Sequence, residues 1–181
     1  MSTLDSEYQA VEEDIWAWIK EFVTAPNEFY DFKFPPCPFA RQAVLAKTVD
    51  VQVWQSGKVR EFIRDNAIRM RDSQSLTTRV MVFPPQTRFQ WGINDYVEAL
   101  NAEMVSTNVF LNTGVAKTTQ SRYPGSPSKE PYFIVIANSL DAVLSGAKSL
   151  AKTDYYKNWP AAHYAHVVER RARMAKKYGG N

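Results

Sequence analysis

Between residues 48 and 152, short runs of alternating apolar and polar residues take turns with longer stretches whose apolar residues recur every three or four positions. No other property of the chain restricts its fold as strongly. Thr48–Trp54 sets Val49, Val51 and Val53 against Asp50 and Gln52, the period-two pattern of a strand with one wet face. After a turn at Ser56-Gly57, residues 58–72 place Val59, Phe62, Ile63, Ala67 and Met70 on one helical face. Thr77–Phe83 predicts a second strand, ended by Pro84-Pro85, and 94–107 another helix. Val109-Phe110-Leu111 is read as a short extra strand. Tyr132–Ala137 is the most apolar run and is predicted to be central and covered on both faces. Asn138 or Ser139 then caps a helix reaching about Lys152.

This alternation predicts an α/β fold: a single domain over residues 1–181, with at least three strands, mainly parallel, covered by helices. Residues 112–131 form a long Ser/Thr/Gly/Pro-rich loop, which leaves open a split arrangement with an antiparallel strand. An N-terminal amphipathic helix is expected over 6–24, with Val11, Ile15, Trp18, Ile19 and Phe22 on one face and Pro26 as its stop. Residues 25–47 hold an aromatic, proline-rich segment (Phe29, Tyr30, Phe32, Phe34, Phe39) expected to lie against the core. A short helix is expected from Pro38 to about Lys47, since proline suits the first helical position. A basic C-terminal helix is expected within 158–181, starting at Pro160 after a cap at Asn158.

Composition removes several classes. With 181 residues and one cysteine, the chain folds without a disulfide framework. No apolar run approaches the ~18–20 residues that span a bilayer, so no membrane partner is expected. The first residues lack the basic start and apolar core of a secretory signal, and a lone cysteine makes a reducing, cytoplasmic location the default. There is no Gly-x-Gly-x-x-Gly, no phosphate-loop pattern, no Gly-x-Ser-x-Gly and no Cys-x-x-Cys. Dinucleotide dehydrogenases, nucleotide kinases, serine hydrolases and dithiol oxidoreductases are therefore poor readings. No cofactor is called for.

The chemistry concentrates around Cys37. In Phe34-Pro35-Pro36-Cys37-Pro38-Phe39-Ala40-Arg41 a helix opened by Pro38 puts Cys37 at its N-cap, where free N–H groups favour a thiolate. The helix end contributes ~0.3–1 kcal/mol, too little alone to ionise a thiol at neutral pH. Arg41, one turn later, is the expected electrostatic partner. The alternative is a packed small hydrophobe. Lys117, Arg122 and Lys129 of the long loop are candidate ligand-binding donors for a small anion, against a plain surface connection. His163, His166 and Glu169 recur every three residues, but three groups on one surface helix are a weak metal pattern, and no metal site is assigned. Net charge is +3, unevenly spread: six acids lie in residues 1–24 and five bases in 170–177. Nucleic acid is disfavoured as a partner, because the aromatics follow core spacing rather than interleaving with the bases.

The string Cys37-Pro38-Phe39-Ala40 with a base after it, preceded by an amphipathic helix and followed by β-α-β, resembles a family of small bacterial proteins known only as a domain of unknown function. Arg79-Val80-Met81-Val82-Phe83-Pro84 and Ser121-Arg122-Tyr123-Pro124 are similar to later segments of that family, so the likeness covers about residues 10–150. Phe83 stands where the family tends to have a histidine, and the 112–131 loop is longer. The resemblance implies the fold rather than an activity.

Two functions follow. The first is a small cytosolic enzyme or binding protein for a small anionic ligand, with Cys37 as nucleophile or hydrogen-bond donor and Arg41 beside it. The second is a non-catalytic interaction or assembly module using the charged terminal helices. The sequence sets no oligomeric state.

Overall fold

A computed structural model describes residues 3–85, 87, 92–113 and 129–179. The chain enters through α1 (Thr3–Trp18), which widens into a π-helical turn at Ile19–Val23. There follow α2 (Pro38–Leu45), β1 (Val49–Val53), α3 (Val59–Asp72), β2 (Thr78–Phe83), α4 (Ile93–Met104), β3 (Val109–Thr113), β4 (Phe133–Ser139) and α5 (Leu140–Leu150). The last helix is broken into α6 (Ala161–Tyr164), a second π-helical turn (Ala165–Glu169) and α7 (Arg170–Tyr178). Its N-cap is Pro160, not Asn158.

The four strands form one mixed sheet in the order β1-β2-β4-β3. The α/β class with a helix-covered sheet is as the sequence predicts, but the strands are not mainly parallel. Only β1 and β2 pair in parallel, whereas β4 is antiparallel to both β2 and β3. The reason is the extra strand at Val109. It is a true edge strand, and the chain turns back after it, so β4 enters the sheet from the same end that β3 leaves.

Strand parity sorts the core into two faces. Met81, Phe83, Val135, Ala137, Val109 and Leu111 point toward α3 and α4 and pack with Ile63, Ala67, Val97 and Leu100. Val51, Val80, Val82 and Ile134 point the other way and take Ile15 and Ile19 of the first helix. The polar alternates of β1 stay close to the sheet. Asp50 lies opposite Arg79 and pairs with it at 2.6 Å, and Asn66 of α3 accepts from the same guanidinium. At the far edge, buried Asn101 accepts from the Leu111 N–H and donates to its carbonyl, so a side chain occupies the outward hydrogen bonds of β3. No helix among the described residues is long and apolar enough to cross a membrane.

The aromatic segment forms a satellite core rather than joining either face. Tyr30, with Phe29, Phe34 and Phe39, packs on Leu150, Tyr155 and Trp159. Tyr30 and Tyr155 stack with ring centroids 4.7 Å apart, while Phe32 at the tip of the turn is exposed. Phe39 of α2 lies directly on Gly146 of α5, where a β-carbon would overlap the Phe39 ring. Glycine inside a helix costs ~0.5–1 kcal/mol relative to alanine. Here it lets an aromatic ring lie on bare backbone. Gly146→Ala is expected to lose about 1–3 kcal/mol in urea unfolding despite its higher helix propensity. With Phe39→Leu already present, the same change is expected to cost clearly less. Equal losses in both backgrounds would show that the ring does not bear on Gly146.

Candidate functional site

Cys37 is the N-cap of α2, with extended backbone (φ −137°, ψ 93°) and Pro38 at the first helical position, as the sequence predicts. Its N–H donates to the carbonyl of Val23, the last residue of the first π-helical turn, at 3.0 Å. The preceding carbonyl, that of Pro36, accepts from the buried Tyr155 hydroxyl at 2.6 Å. The turn before α2 is thus pinned from two sides, and Phe39 pins the helix to α5. A wider turn at the end of the first helix lets its carbonyl reach out to a neighbour, a use to which π-helical turns are often put.

The sulfur meets the expected amide groups, and burial outweighs them. Burial pushes the Cys37 thiol up. The N–H of Ala40, the guanidinium of Arg171 and the N–H of Phe39 pull the other way without overcoming it. No side-chain cap hydrogen bond of ordinary geometry forms. Cys37 at rest is a thiol.

The guanidinium in that set belongs to Arg171, whereas Arg41 points to solvent and stands exposed. Arg171 is the second residue of α7 and is 5% exposed. One Nη donates to the Val143 carbonyl of α5 at 3.5 Å, the outer limit for such a bond. Its Cζ lies 5.7 Å from the Phe110 ring centroid, and its Nε has no hydrogen-bond partner. Val143 and Gly146 are three residues apart, hence neighbours on one face of α5. That face receives both the Arg171 guanidinium and the Phe39 ring, which brings α7 to the start of α2. Among the described residues the charged groups acting on Arg171 are Cys37, Tyr156 and Arg170, and no carboxylate is among them. Arginine stays charged at any ordinary pH. Burial pushes the Tyr156 phenol up to about 12, Arg171 opposing, so it carries no charge either.

Of the loop residues expected at the site, Lys117 and Arg122 lie outside the described residues. Lys129 donates to Asp14 of α1 at 2.9 Å and holds that carboxyl below its usual range. Asp14 is nine residues from Val23, about 13 Å along the helix at 1.5 Å per residue. Lys129 and Cys37 are therefore not brought together. His163 is buried and sits edge-on to Trp159 at 4.5 Å, whereas His166 is exposed. Among the described residues no cluster could hold a metal ion.

A cavity of about 480 Å³ adjoins this region, lined by Thr153, Tyr156, Lys157, Trp159, Tyr164 and Glu169 among others. Tyr156 stands edge-to-face with both Trp159 and Tyr164, at 4.9 and 5.2 Å. Sequence reasoning missed Arg171 and Tyr156. The signal for Arg171 was present: Val167, Arg171, Met174 and Tyr178 recur at i, i+4, i+7 and i+11, so the arginine occupies a position on the apolar stripe of the last helix. Nothing comparable marked Tyr156. Comparison of the chain with protein-family models, with characterised proteins and with solved structures returns no match.

Burial lowers the His163 pKa to about 4, helped by the charge of His166. As pH falls, the unfolded chain takes up the proton first, near 6.5. Stability is therefore full above that value and declines as pH drops toward 4. Urea unfolding at pH 7 and pH 5 is expected to show about 2 kcal/mol of this loss from His163. His163→Gln is expected to flatten that part of the slope. An unchanged slope in the variant would remove His163 as its source.

Proposed function

We propose that this protein binds a small anion between Arg171 and the start of α2. The observation that carries the reading is a guanidinium enclosed at 5% exposure, with an orphaned Nε and no carboxylate facing it among the described residues. Burying a lone charge is costly, and proteins that do so supply a counter-charge. Neither Cys37 nor Tyr156 is ionised at neutral pH, so the counter-charge is left to a ligand. The N–H groups of Phe39 and Ala40 and the Cys37 S–H complete a set of donors suited to an oxyanion. In this reading Cys37 is a hydrogen-bond donor to the bound anion. It would become a nucleophile only toward a substrate that carries an electrophilic carbon to the sulfur. A single cysteine kept as a thiol suits a reducing compartment such as the cytoplasm. Membership of the uncharacterised bacterial family sharing Cys-Pro-Phe-Ala belongs to the same proposal.

The alternative, an assembly module using the charged terminal helices, has less support. Arg170 pairs with Glu98 of α4 at 2.7 Å and Arg171 is enclosed, so part of the basic tail is engaged within the chain.

Because the chain has one cysteine, alkylation reports on this site alone. Iodoacetate and iodoacetamide differ by one charge and deliver similar groups to sulfur. The folded protein is expected to favour iodoacetate by about tenfold relative to the ratio in urea-unfolded protein, ~1.4 kcal/mol of attraction. Arg171→Gln is expected to abolish that preference. A folded-state ratio equal to the unfolded one would refute anion binding here.

A further inference from the structure

The loop that seats Tyr30 in the satellite core also holds one ring away from it. The loop is closed where the Asn27 N–H donates to the Phe34 carbonyl at 3.1 Å. Inside it, the Asn27 carbonyl accepts from the N–H groups of Tyr30 and Phe32, and the Asn27 side chain accepts from the Phe29 N–H at 2.8 Å. Tyr30 and Phe34 pack on Tyr155, and the Tyr30 hydroxyl accepts from the Trp159 Nε1–H at 3.0 Å. Phe32, between those two anchors, is 67% exposed. Its φ is 56° and that of Asp31 is 52°, the left-handed region that bulky side chains rarely enter. Glycine or asparagine would turn the chain there with less strain. A strained, internally bonded turn thus holds an aromatic ring out from the protein on a rigid stem, the form of a preorganised binding anchor.

Charge identifies what receives it. Phe32 lies between an exposed acid, Asp31, and an exposed base, Lys33, with Glu28 exposed in the same turn. A tip with more acid than base does not suit an anionic lipid surface, which attracts bases. It suits a pocket with one base and one acid on its lining. The 480 Å³ cavity has both, as exposed Lys157 and Glu169. Among the described residues Asp31, Lys33 and Lys157 are in no ion pair, and Glu169 has Arg173 at 3.8 Å. Ala151, Thr153 and Ala161 make the small-residue part of the lining and leave room for a ring outside the aromatic cluster, whose members already touch. Trp159 both bonds Tyr30 and lines the cavity, so tip and cavity are neighbours on the surface. Two copies related by a two-fold axis then make the same contact in both directions, the commonest closed arrangement of identical chains. We propose that the protein forms this dimer. Phe32 of each copy seats on Ala151, Thr153 and Ala161 of the other, with Asp31 facing Lys157 of the partner subunit and Lys33 facing the partner's Glu169. The dimer does not require an anion at Arg171, which does not line the cavity.

Sedimentation equilibrium of the full chain tests it, over about 1 to about 200 µM. The mass is expected to rise with concentration to twice that of the 20.7 kDa chain. Phe32→Gly frees the turn from its left-handed strain. It is expected to keep or raise the urea midpoint of the dilute protein while weakening the dimer about tenfold or more. A merely structural role for the ring would not separate those two readouts. Lys157→Glu, checked for folding by circular dichroism, is expected to weaken the dimer about tenfold, and Asp31→Lys added to the same chain is expected to restore it. A monomer at every concentration, a dimer untouched by Phe32→Gly, or a Lys157→Glu defect that Asp31→Lys leaves unrepaired would overturn the proposal.

Discussion

The Phe39 ring lying on the bare backbone of Gly146 is the contact on which the candidate site depends. It seats α2 against α5 one helical turn from the carbonyl that receives Arg171. Without it Cys37 would be an N-cap on a short helix with nothing to face. Tyr155 on Pro36 and the Val23 carbonyl on the Cys37 N–H fix the remaining degrees of freedom. Two π-helical turns, one ending at Val23 and one ending two residues before Arg171, flank the arrangement. The sheet does not supply the site. It carries α5 on the end of β4, and α5 collects the other parts.

The electrostatics of this corner are unbalanced. Arg171 has a weak bond to one carbonyl and the face of Phe110. A cation over an aromatic face is worth ~0.5–2 kcal/mol, whereas taking an ion out of water costs several. By contrast, the other well-placed cations are matched: Arg79 by Asp50, Arg170 by Glu98, Lys129 by Asp14. Among the described residues these three cations have an acid beside them, and the enclosed Arg171 guanidinium does not. Such local inconsistency is where function tends to reside.

Much of the architecture was legible in the residues. The period-two run at 49–53, the continuous apolar run at 132–137 and the helical spacing of 59–70 and 140–150 placed the elements. The direction of β4 was not, because period-two patterning is blind to whether a strand runs up or down, and only the path through 114–132 decides it. Cys37 at the N-cap was readable from Pro38, but its partner was not Arg41. Position 41 points outward on α2, and the arginine whose charge acts on the thiol comes from a helix more than 130 residues away. A run of five bases reads as a solvated tail, and only the apolar stripe of Val167, Met174 and Tyr178 shows that Arg171 faces inward. The aromatic segment 29–39 was rightly expected to avoid water, yet it built its own cluster with Tyr155 and Trp159, a pairing between distant segments that no local pattern encodes.

Anion binding at this corner requires that Arg171 be an enclosed charge that the protein alone does not neutralise. Arg171→Met keeps the length of the stem and removes the charge. Urea unfolding of this variant in anion-free buffer tests the point directly. Arg171→Met is expected to be at least as stable as the parent, by up to roughly 2 kcal/mol, since apolar replacement of an unmet buried ion relieves desolvation. A loss of more than about 2 kcal/mol would show that the guanidinium is already satisfied as a structural group, and the anion site would fall with it.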